Sequence, residues 1–152
     1  MSAEPTPNNT YIFDPESPTE LARLTNQERI VTQAKGGPLS GVPDPSGLRN
    51  IVDLGCGPGG WVLDTAFALP DAKVKRVDVS RLMVDYANAS FDLVNERFLG
   101  PVLKREVWPP FLAECTRVLR PGGTLRLTEL VDGGITSSAS VNEFMRLITR
   151  AL

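Results

Sequence analysis

The sequence predicts an α/β fold: an open, doubly wound, mostly parallel sheet reduced to about four strands, with helices on its flanks. Three stretches predict it. Ile51–Leu54 is a short, largely apolar run that enters a glycine-rich turn and then a helical pattern from Gly60. Val74–Val79 is a second short strand with an acid near its end. Glu114–Leu119, Arg120–Pro121–Gly122–Gly123 and Thr124–Leu130 read as helix, turn and strand. Strands that alternate with helices in this way build parallel sheets through crossover connections.

Composition sets the bounds. The 152 residues suffice for one domain with a hydrophobic core. We divide them into a mobile N-terminal arm, residues 1–17, and a single domain, 18–152. A net charge of −2 supplies no basic field for nucleic acid or an anionic membrane. No apolar run reaches membrane-spanning length, and Met1–Pro5 lacks a signal-peptide core, so the expected location is cytoplasmic. Cys56 and Cys115 form neither a disulfide framework nor a zinc set, so no metal is expected. The chain has no histidine, which removes the commonest general base.

In chain order, the Pro-, Asn- and Thr-rich arm is broken by Tyr11–Ile12–Phe13, a hydrophobic latch onto the body. Ser17–Pro18–Thr19–Glu20 reads as a helix start with Ser17 as cap and Glu20 as capping-box acid. Leu21, Leu24, Ile30 and Val31 form its apolar stripe, and Gly36–Gly37–Pro38 ends it. A Gly/Pro/Ser linker leads to the first strand, at about 50–55, and to a helix at about 59–69. Ser80–Ala89 opens with a helix cap, and Ser90–Arg97 is a strand with Phe91, Leu93 and Val94 buried. After Trp108–Leu119 and its Pro–Gly–Gly stop comes the strand Thr124–Leu130, then a last helix, Val141–Leu152.

The chemistry gathers at strand ends. Gly55, Gly57, Gly59 and Gly60 let the chain turn sharply and bring bare backbone close to a ligand, with Cys56 fitting by its small size. The spacing G-x-G-x-x-G also permits a dinucleotide. Asp53 argues against that, because a carboxylate there repels a pyrophosphate and favours a ligand with an ammonium group. Asp78, about twenty residues past the glycines, stands where such folds place an acid to accept hydrogen bonds from ribose hydroxyls. Asn95 and Arg97 sit at the carboxyl end of their strand, where open α/β sheets hold ligands.

These motifs resemble the class I S-adenosylmethionine-dependent methyltransferases, a Rossmann-like family, over about residues 50–130. The stretch Arg49–Trp61 is similar to the first motif, in which the acid lies near the methionine amino group. Val77–Asp78–Val79–Ser80…Met83…Ala87 is similar to the second, whose residues flank the adenine, so the resemblance implies Val79 and Met83 as cofactor contacts. Ser90–Arg97 matches the fourth motif, beneath the sulfonium, and Glu114–Leu125 matches the helix–turn–strand that follows it. The resemblance thus implies S-adenosyl-L-methionine as cofactor, held by Asp53, Gly55, Cys56, Gly57, Gly59, Asp78, Val79, Met83 and Asn95. It also implies Tyr11 and Arg97 as lid or substrate residues.

Two pieces of the family pattern are missing: the third strand with its helix, and the final antiparallel pair. The strand order expected is therefore 2-1-4-5 in the family's own strand names. The Ser80–Ala89 helix must then move to the opposite sheet face or be shortened and distorted. Strand exchange in a homodimer is another way out of that strain.

The expected function is in-line methyl transfer to a small-molecule acceptor, a reaction that needs position and dryness more than a strong base. Glu96, Glu129 and Asp132 stand near strand ends as bases in principle, and none is assigned a catalytic role. The alternative is a catalytically silent cofactor-binding or oligomerisation module. A nicotinamide-dependent oxidoreductase is disfavoured by Asp53 and by the 114–125 unit.

Overall fold

In the computed structural model the described residues are 17–77, 85–129, 137–140, 142, 143 and 146. The elements are α1 (Pro18–Ala34), β1 (Asn50–Leu54), α2 (Gly60–Ala68), β2 (Lys73–Val77), β3 (Phe91–Arg97), α3 (Trp108–Val118) and β4 (Leu119–Thr128). The four strands form one sheet in the order β2-β1-β3-β4, with every pair parallel. This is the expected 2-1-4-5 order.

Neighbouring residues in a strand face opposite sides of the sheet, and each side has its own core. Val52, Leu54, Val77 and Val94 pack with Phe111, Cys115 and Val118 of α3. Ile51 and Leu93 pack with Trp61 of α2 and with Val42 and Leu48 from the linker. β1 and β3 are buried nearly throughout, which is why both read as short apolar runs. At their amino ends the buried Asp92 accepts hydrogen bonds from the Arg49 N–H (2.6 Å) and the Asn50 N–H (2.9 Å) and pairs with Arg120 (2.8 Å). One carboxylate thus ties β1, β3 and β4 together at the end away from the glycine turn.

Two expectations need correction, and a third is narrowed. The first concerns α1. Ser17 is at the N-cap, yet its side chain makes no cap hydrogen bond, and Glu20 holds Arg23 instead of closing a capping box. The proposed apolar stripe is not the buried face: Leu21 and Ile30 are 39% and 55% exposed and Leu24 and Val31 only half-buried, while Glu20 and Thr32 are buried. The reason lies in what the helix covers. Its inner face meets polar groups at the carboxyl ends of the strands, so hydrophobic periodicity points the wrong way.

The second concerns Arg120–Gly123. These residues do not separate helix from strand but bulge out within β4: Phe91 pairs with Leu119, and the next pair is Leu93 with Thr124. A Cβ on Gly123 would lie 2.9 Å from the Arg120 carbonyl oxygen, so the bulge closes only around glycine.

The third concerns Ser80–Ala89. Asp85–Ala87 carry no helix, and Asn88–Ala89 form a turn. Arg117 at the end of α3 holds this segment by donating to the Tyr86 carbonyl and to Asn88 Oδ1, each at 2.7 Å. A helix reaching Ala89 is therefore excluded; residues 78–84, and with them the choice of sheet face, lie outside the described residues. Most of the expected last helix lies outside them too. Among the described residues no helix is long and apolar enough to cross a membrane, and no cluster of His, Cys, Asp or Glu suits a metal ion.

Candidate functional site

The carboxyl end of β1 runs into the glycine turn. Gly55 and Cys56 donate their N–H groups to the Val77 carbonyl (2.8 and 3.2 Å), which pins the turn to the end of β2. Gly55 has φ +72, which favours glycine, and a Cβ there would lie 2.6 Å from Leu99 Cδ2 and push that side chain aside. Gly59 takes φ +88 at the N-cap of α2 and supplies no side-chain cap. The missing cap comes from α1: Glu28 Oε2 accepts a hydrogen bond from the Gly60 N–H at 3.0 Å.

Asp53 is almost completely buried. Its Oδ1 accepts a hydrogen bond from Asn95 Nδ2 at 2.6 Å, and the two residues are register partners on β1 and β3. Asp53 Oδ2 and Asn95 Oδ1 are buried and have no hydrogen-bond partner. Burial pushes the Asp53 carboxyl up to about 6, against the bond from Asn95 and the nearby Arg97 charge.

Arg97, the last residue of β3, turns toward α1. Its Nη2 meets Glu28 Oε1 at 2.7 Å, its Nη1 lies 3.4 Å from Thr32 Oγ1, and its Nε has no partner. Burial raises the Glu28 carboxyl above its ordinary value, and Arg97 only partly offsets it. Trp61, at the start of α2, donates from Nε1 to the Pro38 carbonyl at 2.8 Å. Arg126 on β4 donates to the same oxygen. The guanidinium groups of Arg97 and Arg126 each lie 5.9 Å from the Trp61 ring centroid.

The other sheet face carries a second acidic group. Glu96 is fully buried, and its Oε1 accepts a hydrogen bond from the Leu99 N–H at 2.8 Å. Glu129 accepts one from the Gly100 N–H at 2.8 Å. Glu96 Oε2 is buried without a hydrogen-bond partner, and the nearby Glu129 carboxylate further disfavours the charged form of Glu96. Burial, with Glu129 next in weight, pushes Glu96 up to about 9. Cys115 lies behind Glu96 with its thiol pushed up to about 12, chiefly by burial, and is not a nucleophile.

The sign of the pH effect follows. Glu96 keeps its proton in the fold where an unfolded Glu has lost it, so stability falls as pH rises through the window from about 4.5 to about 9. Glu96→Gln mimics the protonated acid. We expect it to flatten the decline in melting temperature between about pH 5 and pH 9. A variant as pH-sensitive as the parent would show that Glu96 is not the group that titrates.

The structure thus brings together Asp53, Gly55, Cys56, Gly57, Gly59 and Asn95 at adjoining strand ends. Asn95 holds Asp53, and Arg97 is buried against Glu28 rather than exposed on a lid. Tyr11, Asp78, Val79 and Met83 lie outside the described residues. Glu28, Thr32, Lys35 and Arg126 did not stand out in the sequence. Arg126 could have been found from strand register, since it pairs with Asn95; the α1 residues carry no comparable signal.

No family profile matches the chain. It is 29% identical over 142 residues to Methyltransferase pytC of Aspergillus terreus, a match covering 81% of this chain and 43% of that protein. The chain therefore spans less than half the length of the curated relatives it matches. Among solved structures, it resembles an S-adenosylmethionine-dependent methyltransferase from Aquifex aeolicus with TM-score 0.56 and 18% identity, over 84% of this chain and 78% of that one. It also resembles the Haemonchus contortus phosphoethanolamine N-methyltransferase 2 solved with phosphomonomethylethanolamine and S-adenosylhomocysteine, with TM-score 0.50 and 21% identity over 80% of this chain and 32% of that one. With its parallel strand order and glycine turn, the chain carries the Rossmann-like class I methyltransferase fold, with four strands among the described residues.

Proposed function

We propose that this chain is an S-adenosylmethionine-dependent methyltransferase acting on a small-molecule acceptor, with residues 18–152 as its single domain. One observation carries the reading: Asp53 is a buried carboxylate beside the glycine turn with one oxygen left without a donor. A buried anion without a full set of donors is costly unless a cation completes it. The cofactor's amino group is such a donor, and its uncharged adenosine portion avoids the repulsion a pyrophosphate would meet. The similarity to methyltransferases agrees with the reading.

On this reading Asp53 takes the ammonium, Asn95 fixes the Asp53 rotamer, and Gly55–Gly59 give the ligand close access to backbone. Asp78, Val79 and Met83 are proposed for the ribose and adenine. When bound, the cofactor supplies an electrophilic methyl on a sulfonium. The residues of the chain then position the acceptor and exclude water, a division of labour that needs no histidine. Glu96 is committed to Leu99 on the opposite sheet face, so it is not proposed as the base.

The experiment is a thermal melt with S-adenosylhomocysteine and, separately, with NAD. Saturation at about a hundred times Kd should add about 2.7 kcal/mol. That raises the melting temperature by roughly 5–10 °C, and NAD should have no effect. No rise at millimolar S-adenosylhomocysteine contradicts the reading. A rise without methyl release across an acceptor panel would leave the silent binding module.

A further inference from the structure

The register of β1, β3 and β4 puts Asp53, Asn95 and Arg126 in one row on one sheet face, with Arg97 and Thr128 forming the next row. α1 leans over the same end, where Lys35 Nζ reaches Thr128 Oγ1 at 3.3 Å. Three cations, Lys35, Arg97 and Arg126, therefore share a small region.

Their counter-charges are uneven. Glu28 neutralises Arg97 at 2.7 Å. Among the described residues, neither Lys35 nor Arg126 forms an ion pair: Lys35 holds only the Thr128 hydroxyl, and Arg126 a carbonyl oxygen and the edge of an aromatic contact. The cations feel one another. After burial, the nearby Arg97 charge is what lowers Arg126, and Arg126 followed by Arg97 is what lowers Lys35. Asp53, further along the row and bonded to Asn95, acts on Arg126 more weakly than Arg97 does and so offsets the crowding only in part. Like charges held together beside a half-buried arginine are destabilising until an anion joins them.

The cluster adjoins the cofactor residues on the side toward the other edge of the sheet. The glycine turn and Asp53 belong to β1, and Asp78 follows β2, whereas Arg126 and Thr128 are on β4 at the other edge of the sheet. A ligand held by β1 and β2 leaves the β3–β4 end to the acceptor. Lys35 is exposed and Arg126 half-buried, so the cluster runs from solvent inward.

We infer that Lys35 and Arg126, with Thr128 beside them, form a subsite for a carboxylate carried by the methyl acceptor, so that the chain prefers acidic small molecules. The guanidinium offers two parallel donors, the ammonium a third, and the Thr128 hydroxyl a fourth, which matches the lone pairs of one carboxylate. This inference rests on the methyltransferase reading only for the word acceptor; the anion subsite itself does not.

The test uses Trp61, whose ring lies 5.9 Å from the Arg126 guanidinium. In a Trp108→Phe background, Trp61 is the only tryptophan left. Cyclohexanecarboxylate and cyclohexanecarboxamide are titrated against its fluorescence, with and without saturating S-adenosylhomocysteine. The carboxylate should bind at least tenfold more tightly than the amide. Arg126→Gln and Lys35→Met should each weaken it about tenfold while leaving the affinity for S-adenosylhomocysteine within about twofold. Lys35 is exposed, so Lys35→Met remains a test should Arg126→Gln fail to fold. Equal binding of acid and amide overturns the inference. So does a loss of S-adenosylhomocysteine affinity in the two variants, which would give the cations to the cofactor's own carboxylate. If S-adenosylhomocysteine does not bind at all, the cofactor reading fails, and the subsite is judged on the ligand-free titration.

Discussion

Arg97→Ala is expected to destabilise the protein by about 3–5 kcal/mol. The side chains of Arg97 and Glu28 are 6% and 12% exposed, and the 2.7 Å bond between them joins the end of β3 to α1. Removing Arg97 strands the Glu28 carboxylate, whose desolvation already raises it. Glu28 is also the cap on Gly60, so the loss spreads to the start of α2 and the glycine turn. Urea denaturation measures the effect. The same logic gives a second outcome: replacing both partners, Arg97→Met with Glu28→Leu, should recover most of the loss, because two apolar side chains leave no charge uncompensated. A single-variant loss under about 1 kcal/mol would place Arg97 among ordinary surface arginines.

Asp53→Asn should move stability and binding in opposite directions. The Asp53 carboxyl is raised to about 6 by burial. The folded state therefore holds a proton that the unfolded chain loses above about pH 4, and this contribution fades as pH climbs through about 6. At neutral pH the ionised group is a burden on the ligand-free fold. Asparagine keeps the shape and the bond from Asn95 without the charge, so the ligand-free variant should be more stable at pH 7, by up to about 3 kcal/mol. Without the carboxylate, affinity for an ammonium-bearing ligand should fall about ten- to a hundredfold. A group that costs stability and serves binding is the usual signature of a site rather than a core.

The parts legible in the sequence were those fixed by local rules. Gly55–Gly60 announce a turn because those angles favour glycine. The β1 and β3 stretches announce themselves because both sides of the sheet are covered. Strand order followed from the family resemblance and its missing third strand. What escaped depends on contacts between distant residues. The inward face of α1 is polar because it meets Arg97 and the Gly60 N–H, so a hydrophobic stripe was the wrong guide to it. Arg126 looks like an ordinary strand arginine until its pairing with Asn95 is known. Glu96 and Glu129 were visible as acids near strand ends, but bringing them to neighbouring N–H groups needs the turn that carries Leu99 and Gly100. The Arg120–Gly123 bulge was read as a stop because proline and glycine do both jobs.

The measurement that bears most directly on the glycine-turn site is calorimetric titration of S-adenosylhomocysteine into the native chain and into Asp53→Asn under identical conditions. Saturable binding to the native chain, with at least a tenfold weaker Kd in the variant, is the expected result. Equal affinity in the two proteins, or no binding to the native chain at millimolar ligand, would contradict it.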